Sequence, residues 1–449
     1  MAAALKKQSD LTTGPIVQKI ALFAVPVILG NMFQQLYNTT SAVIVGQMIG
    51  TEAFAAISVA NPIMSVLLFF LVGICMGVSV LLSQQYGAHN TKVFQAQFST
   101  ALIGGSVFTV VLSVVFAALA RPILIWNNTP AELLEPATIY LSITTGFMLF
   151  PFLYNYFANA LRAIGDATMS FVFLVVSSVL NIVFTIALVY AGLGVAGAAI
   201  ANVVSQFVSA LLTAVYMHKK VEMLSLSRKN MVFDKSLLKQ TISFSWVSAM
   251  QQTVLYLGRM LMQGSVNRLG TDVIAGYNAA LRIEAFFFAV SDGFSAALST
   301  FAGQNKGAGQ PVRVNKGFLY TVGLTAGFAV LFGVVFFAFA RPFVSIFLPN
   351  PQETVLGAGQ SYLQIMAFFY IICGTMAIFQ SFFRGLGLLR ITMVATFSQI
   401  TIRVVLAMVL VPFYGVVGIC MAVIAGWSAV LLYEVICLKW YYKTNPLHA

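Results

Sequence analysis

Twelve runs of apolar residues divide this chain, each long enough to cross the roughly 30 Å hydrocarbon core of a bilayer as a helix. They lie near 16–44, 52–83, 93–120, 133–157, 168–191, 194–218, 236–264, 272–303, 312–340, 354–380, 390–412 and 415–441. Runs of this kind permit few folds. A backbone in hydrocarbon must pair its own N–H and C=O groups, either inside a helix or around a closed barrel. The alternation of a barrel strand is absent, so the expected fold is an all-α integral membrane protein with twelve transmembrane helices. Only 8% of residues are charged and 60% are hydrophobic, where a soluble domain carries roughly 25% charge.

The few charges are unevenly placed. The net charge of +12 suggests a nucleic-acid partner until its distribution is read. With the N-terminus inside, the basic residues between spans fall almost entirely on the cytoplasmic side, including Lys219, Lys220, Arg228, Lys229, Lys235 and Lys239 of one central loop; only Arg121, Arg268 and Arg341 fall outside. This is the positive-inside asymmetry. It predicts cytoplasmic termini, a bilayer partner and no nucleic acid. The polar lead MAAALKKQSDLTTGP does not read as a cleaved signal peptide. Cys75, Cys373, Cys420 and Cys437 lie in apolar runs without CxxC spacing and read as buried thiols, with no metal site. No HExxH, GxSxG or phosphate-cradling loop appears, so no enzyme and no cofactor are expected.

The chain repeats itself. GTEAFAA (Gly50–Ala56) returns as GTDVIAG (Gly270–Gly276), SQQYGA (Ser83–Ala88) as GQNKGA (Gly303–Ala308), and ALARP (Ala118–Pro122) as AFARP (Ala338–Pro342), all at an offset of 220. RAIG (Arg162–Gly165) returns as RGLG (Arg384–Gly387) at 222. Six spans is an even number, so the two copies run parallel. The expected organisation is an N-lobe over 1–217 with spans 1–6, a cytoplasmic linker over 218–235, and a C-lobe over 236–449 with spans 7–12. Parallel repeats suit a transporter that alternates access; a duplicated scaffold is the plainer reading.

These features, with LYNTTSAVIVGQMIGTEAFAA (Leu36–Ala56), Pro26 in the first span and the RAIGD turn after the fourth, resemble the multidrug and toxic compound extrusion (MATE) family of prokaryotic type over essentially the whole chain. The resemblance implies a V-shaped, two-lobe secondary antiporter in a bacterial plasma membrane, monomeric, exporting amphiphilic small molecules in exchange for Na⁺ or H⁺. A flippase for a lipid-linked precursor, from the same superfamily, is the alternative. Two departures stand out. Many prokaryotic members carry an acid where this chain has Ser41, and another where it has Thr185, four residues after Asn181. Hydroxyls do not exchange protons near neutral pH, so the N-lobe relay of such relatives is not expected here.

The C-lobe instead keeps charge in hydrocarbon, where each costs several kcal/mol or more. AALRIEAFFFAVSDG (Ala279–Gly293) holds Arg282, Glu284 and Asp292, with Arg259 and Arg403 at similar depth in neighbouring spans. On a helical wheel, Glu284, Phe288, Ser291, Asp292, Ser295 and Ser299 share one face, while Arg282 points about 160° from Glu284. Glu284 and Asp292 are the ion-coupling candidates, with Arg259, Arg282 and Arg403 as charge partners. A purely structural ion-pair network is the plain alternative. Three arginines against two acids leave this interior net positive, which favours an anionic, zwitterionic or weakly charged substrate. Asn31, Gln34, Gln35, Asn38, Ser41, Asn181, Thr185, Gln251, Gln252, Phe288, Ser291 and Ser295 are the substrate-cavity candidates; interhelical hydrogen bonding explains such residues equally well. Gly73 with Gly77, and Gly194 with Gly197, read as close helix packing.

The orientation is testable. Ser225→Cys and Pro130→Cys, introduced singly into a chain lacking the native cysteines, should react with an impermeant thiol reagent from opposite sides. Labelling of the Ser225→Cys chain from outside intact cells would reverse the topology.

Overall fold

Because hydrocarbon offers the backbone no other partner, the apolar runs fold as helices. The structure, a computed structural model, describes residues 10–48, 50–227, 231–347 and 352–445, with backbone only for 36–43 and 45. In chain order the helices are α1 (Ile16–Met48), α2 (Thr51–Gly87), α3 (Thr91–Ala118), α4 (Ala120–Trp126), α5 (Ala131–Gly146), α6 (Leu149–Ala163), α7 (Ala167–Leu188) and α8 (Gly194–Lys220). They continue as α9 (Lys235–Val266), α10 (Thr271–Gly307), α11 (Pro311–Ala338), α12 (Ala340–Ile346), α13 (Glu353–Ala367), α14 (Tyr370–Gly385) and α15 (Leu389–Thr444). No strand occurs among the described residues.

Two anticipated spans are broken. The fourth bends by 46° between α5 and α6, and the tenth by 58° between α13 and α14. Pro151 explains the first break, since its ring and missing N–H disrupt bonding to the residue four before it, Phe147. The second break has no proline beside it. Two other spans run together. α15 holds 56 residues and would be about 84 Å long if straight. It folds back at Gly415, whose φ of 53° and ψ of −129° are not helical. α7 and α8 meet in the same way across a π-helical turn, Val189–Leu193, with Gly192 at φ 84° and Gly194 at φ 48°. Gly194 thus takes part in the turn, and Gly197 packs on Leu188. Each bent pair is one span and each hairpin two, which gives the twelve.

The duplication is visible in the backbone. Gly50 and Gly270 precede α2 and α10 with φ of 101° and 89°; His89 and Gly309 take φ 54° and 67°. Gly165 and Gly387 take 93° and 75°, and Gly194 and Gly415 take 48° and 53°. The same bends recur at offsets of 220 to 222. GVAG at Gly194–Gly197 and GVVG at Gly415–Gly418 set the register of the last span in each copy at 221.

Side-chain packing divides the chain into two compact units, and the leading helix of each repeat is shared. Leu29–Thr253 belongs to one unit; Leu11–Ile28 with Val254–Ala449 forms the other. In the first unit, the early part of α9 lies against α2, where a Cβ on Gly73 would sit 2.5 Å from Ala249 Cα and one on Gly77 would sit 2.6 Å from Phe244 O. Gln97 Nε2 of α3 donates to Thr241 Oγ1 of α9. Asp234 caps α9, accepting from Ser236 Oγ and from the N–H groups of Leu237 and Ser236, which hold its carboxyl below the usual range. In the second unit, Leu11 is buried. Its N–H donates to Gln304 Oε1 at 3.1 Å, and its carbonyl accepts from Asn305 Nδ2 and Arg313 Nη2, each at 3.2 Å. Gly293 of α10 packs on Ile28 of α1.

Gly77→Val should force α9 away from α2 and lower stability by about 1–3 kcal/mol, the usual range for overpacking, read as thermal melting in detergent. Gly323→Ala on α11 is the matched control. A Cβ there meets open space, and melting should be unchanged or slightly raised. Equal effects at the two sites would refute the packing argument.

Candidate functional site

Glu284 sits on α10, and its surroundings come from α10 itself and from α13 and α14. The side chain is 4% exposed. The Tyr362 hydroxyl donates to both carboxylate oxygens, at 3.3 Å to Oε1 and 3.2 Å to Oε2. A tight hydroxyl–carboxylate bond is nearer 2.5–2.7 Å, so this is a weak, shared contact that leaves most of the oxygens' accepting capacity unused. Tyr370 faces the same carboxylate, with its buried hydroxyl outside hydrogen-bonding geometry. Tyr277 stacks edge-on against Tyr362, ring centroids 5.1 Å apart. Phe287 lies 4.5 Å from the Tyr370 ring. An acid among three phenols inside an apolar core can hold a small cation or a proton.

The arginines surround this acid at a distance. Arg403 and Arg259 act on it electrostatically, Arg403 more strongly. Arg341 and Glu353 form a close, exposed ion pair at 2.7 Å; none of Arg259, Arg282 and Arg403 closes one with Glu284. Arg282 is exposed and lies over the Phe347 ring at 5.9 Å, consistent with its wheel position. Arg403 Nε is buried without a hydrogen-bond partner. Its stem fills the place a Cβ would take on Gly426, 2.5 Å from Arg403 Cγ.

The first repeat serves as an internal control. Tyr362 corresponds to Tyr140, which packs in an apolar cluster flanked by Met64, the residue in the register of Glu284. Tyr277 and Tyr370 correspond to Ile57 and Met148. Arg403 corresponds to Asn181, whose Nδ2 donates to Ser205 Oγ at 3.3 Å; Ser205 is the counterpart of Gly426. The second repeat has thus exchanged a small hydrogen-bonded pair for a long cation and a glycine that makes room for it.

The other anticipated residues scatter. Asp292 is exposed although it shares the Glu284 face of the wheel, and Arg259 and Arg384 act on it. Ser291 and Ser295 are buried, Ser295 Oγ donating to Ala377 O at 3.4 Å. Phe288 is half-buried against Phe287. Asn181 and Thr185 are buried within the first unit. Gln251 is buried, and Gln252 Nε2 contacts Met76 Sδ at 2.9 Å. Gln34 and Gln35 are exposed and Asn31 half-buried. Asn38 and Ser41 lie outside the residues whose side chains are described. The sequence reading passed over Tyr277, Tyr362, Tyr370 and the fully buried Glu434. For Glu434 the signal was present, as an acid inside the last apolar run.

Comparison with known proteins follows the same architecture. Two stretches, 26–187 and 248–409, match the MatE family profile, one in each repeat and 222 residues apart. The chain belongs to the MatE family of membrane transporters. It is 27% identical over 437 residues to the probable multidrug resistance protein YoeA of Bacillus subtilis (strain 168), covering 95% of this chain and 93% of that one. It is 23% identical to an FAD transporter of Shewanella oneidensis, covering 78% of each. A crystal structure of MATE in complex with MaL6 superposes with a TM-score of 0.91 at 19% identity, over 98% of this chain and 99% of that one, which establishes the shared fold.

The Arg403–Gly426 exchange generates a prediction. Gly426→Ser should crowd Arg403 and cost about 1–3 kcal/mol. Arg403→Asn with Gly426→Ser rebuilds the pair seen in the first repeat and should recover most of that loss. A double variant that melts no higher than Gly426→Ser alone would refute the exchange.

Proposed function

We propose that this chain is a secondary multidrug antiporter of a bacterial plasma membrane, exporting amphiphilic small molecules by alternating access in exchange for Na⁺ or H⁺. Its repeats, 1–217 and 236–449, are joined through a cytoplasmic linker at 218–235, and both termini are cytoplasmic. Glu284 carries the coupling ion. The observation behind this reading is a buried carboxylate with a long, shared hydroxyl contact from Tyr362 and no arginine at ion-pair distance among the described residues, in the repeat that alone has an acid at this register. A structural acid would be expected to hold an arginine at ion-pair distance, because an unmatched buried charge is costly. Here the arginines stay back and set the field. Arg259 and Arg403 act on the carboxylate without closing an ion pair with it, so an arriving cation or proton does not have to displace an arginine. The multidrug name of the Bacillus relative supports the substrate class. The arginine excess around the site, together with the FAD transporter among the relatives, favours substrates with anionic groups. It also keeps open a lipid-linked pyrophosphate as the cargo of a flippase.

The test is dye efflux from proteoliposomes under imposed Na⁺ or pH gradients, alongside dye binding to purified protein. Glu284→Gln preserves shape but cannot carry the compensating charge. Gradient-driven efflux should fall at least tenfold while binding persists, and Glu284→Asp should keep partial activity with a shifted ion dependence. If Arg259→Gln with Glu284→Gln restores folding and transport together, Glu284 is structural and the coupling role is lost.

A further inference from the structure

Resting on the antiport reading above, we propose that Glu434 is a second ion station, taking the coupling cation (a proton or Na⁺) between Glu284 and the cytoplasm. Glu434 lies on the second arm of α15, ten residues before Thr444, so about 15 Å from the end of the helix. It is 0% exposed, and neither carboxylate oxygen has a hydrogen-bond partner. A buried carboxylate in that condition is incomplete: it must hold a proton or a cation, or approach a basic group. Gln380 and Arg384 of α14 act on it, Gln380 through its side-chain amide and Arg384 electrostatically, and Arg384 closes no ion pair with it. Arg384 Nε is itself buried without a partner. The same arginine acts on Asp292 of α10 as well as on Glu434. A single guanidinium therefore acts on two acids and closes an ion pair with neither.

The first repeat shows that the fold does not need this arrangement. Arg162 occupies the place of Arg384, also with a buried Nε lacking a partner, yet Val72 stands for Asp292, Ala158 for Gln380 and Thr213 for Glu434. Thr213 is buried and satisfies itself, donating to Ser209 O of its own helix at 2.7 Å. An arginine at this turn is thus housed without acids. The acids appear only in the second repeat, the one that also carries Glu284. When a proton or Na⁺ neutralises Glu434, its pull on Arg384 is lost and Arg384 is left to Asp292; when the cation leaves, the carboxylate draws Arg384 back. This gives an exit step on the side of the membrane where α14 ends, without moving a charge through bare hydrocarbon.

The experiment uses the full chain in proteoliposomes with a fluorescent dye, under a Na⁺ gradient in one arm and a pH gradient in the other, which separates the two cations. Glu434→Thr rebuilds the first repeat's residue and should melt within a few degrees of the parent. Dye binding should be kept, while gradient-driven efflux should fall tenfold or more in one arm. Glu434→Asp should recover part of that efflux, with the half-maximal ion concentration shifted. Undiminished gradient-driven efflux in Glu434→Thr overturns the proposal. So does recovery of efflux when Arg384→Gln is added to Glu434→Gln, because the acid would then serve only as a structural partner. The Glu284 reading is scored separately. If Glu284→Gln keeps efflux while Glu434→Thr loses it, that reading falls and the station at Glu434 stands.

Discussion

In hydrocarbon an unpaired backbone N–H or C=O costs several kcal/mol, and every element of this protein answers to that cost. The spans are helical because a helix pairs its own backbone. Where the chain must break regularity, at Gly415 or across Gly192 and Gly194, it reverses within a few residues so that the two arms pack immediately. The same constraint makes side-chain chemistry legible. Any charge kept in such a medium is held against a steady penalty. Glu284 and Glu434 therefore carry information that an acid on a soluble surface would not.

Duplication turns that argument into a comparison. Both repeats solve the same packing problem, with the same left-handed bends and the same tyrosine at Tyr140 and Tyr362. Their polar chemistry differs. Met64, Asn181 and Thr213 in one copy stand against Glu284, Arg403 and Glu434 in the other. What the copies share is what the fold requires. What only the second copy holds includes two buried acids, Glu284 and Glu434.

The sequence showed the spans, the duplication and the charged segment clearly, because hydropathy and short repeated motifs are local properties. It did not show the bend after Ala367, where no proline or glycine stands at the break, nor the short helices Ala120–Trp126 and Ala340–Ile346. It placed Glu284 and Asp292 on one helix face correctly in angle, but could not know that neighbouring helices cover one and leave the other exposed. Two of the tyrosines around Glu284, Tyr362 and Tyr370, arrive from α13 and α14, some 80 residues away in sequence, and an aromatic in an apolar run looks like packing until its neighbour is known to be an acid.

The sharing of α1 and α9 bears on how such a chain could have arisen. A lone six-span copy would lack the strip of helix that covers its α2-like or α10-like core, since Leu11–Ile28 completes the second unit and the segment up to Thr253 completes the first. Two identical copies could each lend that strip to the other, as in a domain-swapped dimer. Fusing them preserves the exchange and frees each copy from identity with its partner. From that point the buried acids of one copy need have no counterpart in the other, an asymmetry no homodimer can hold.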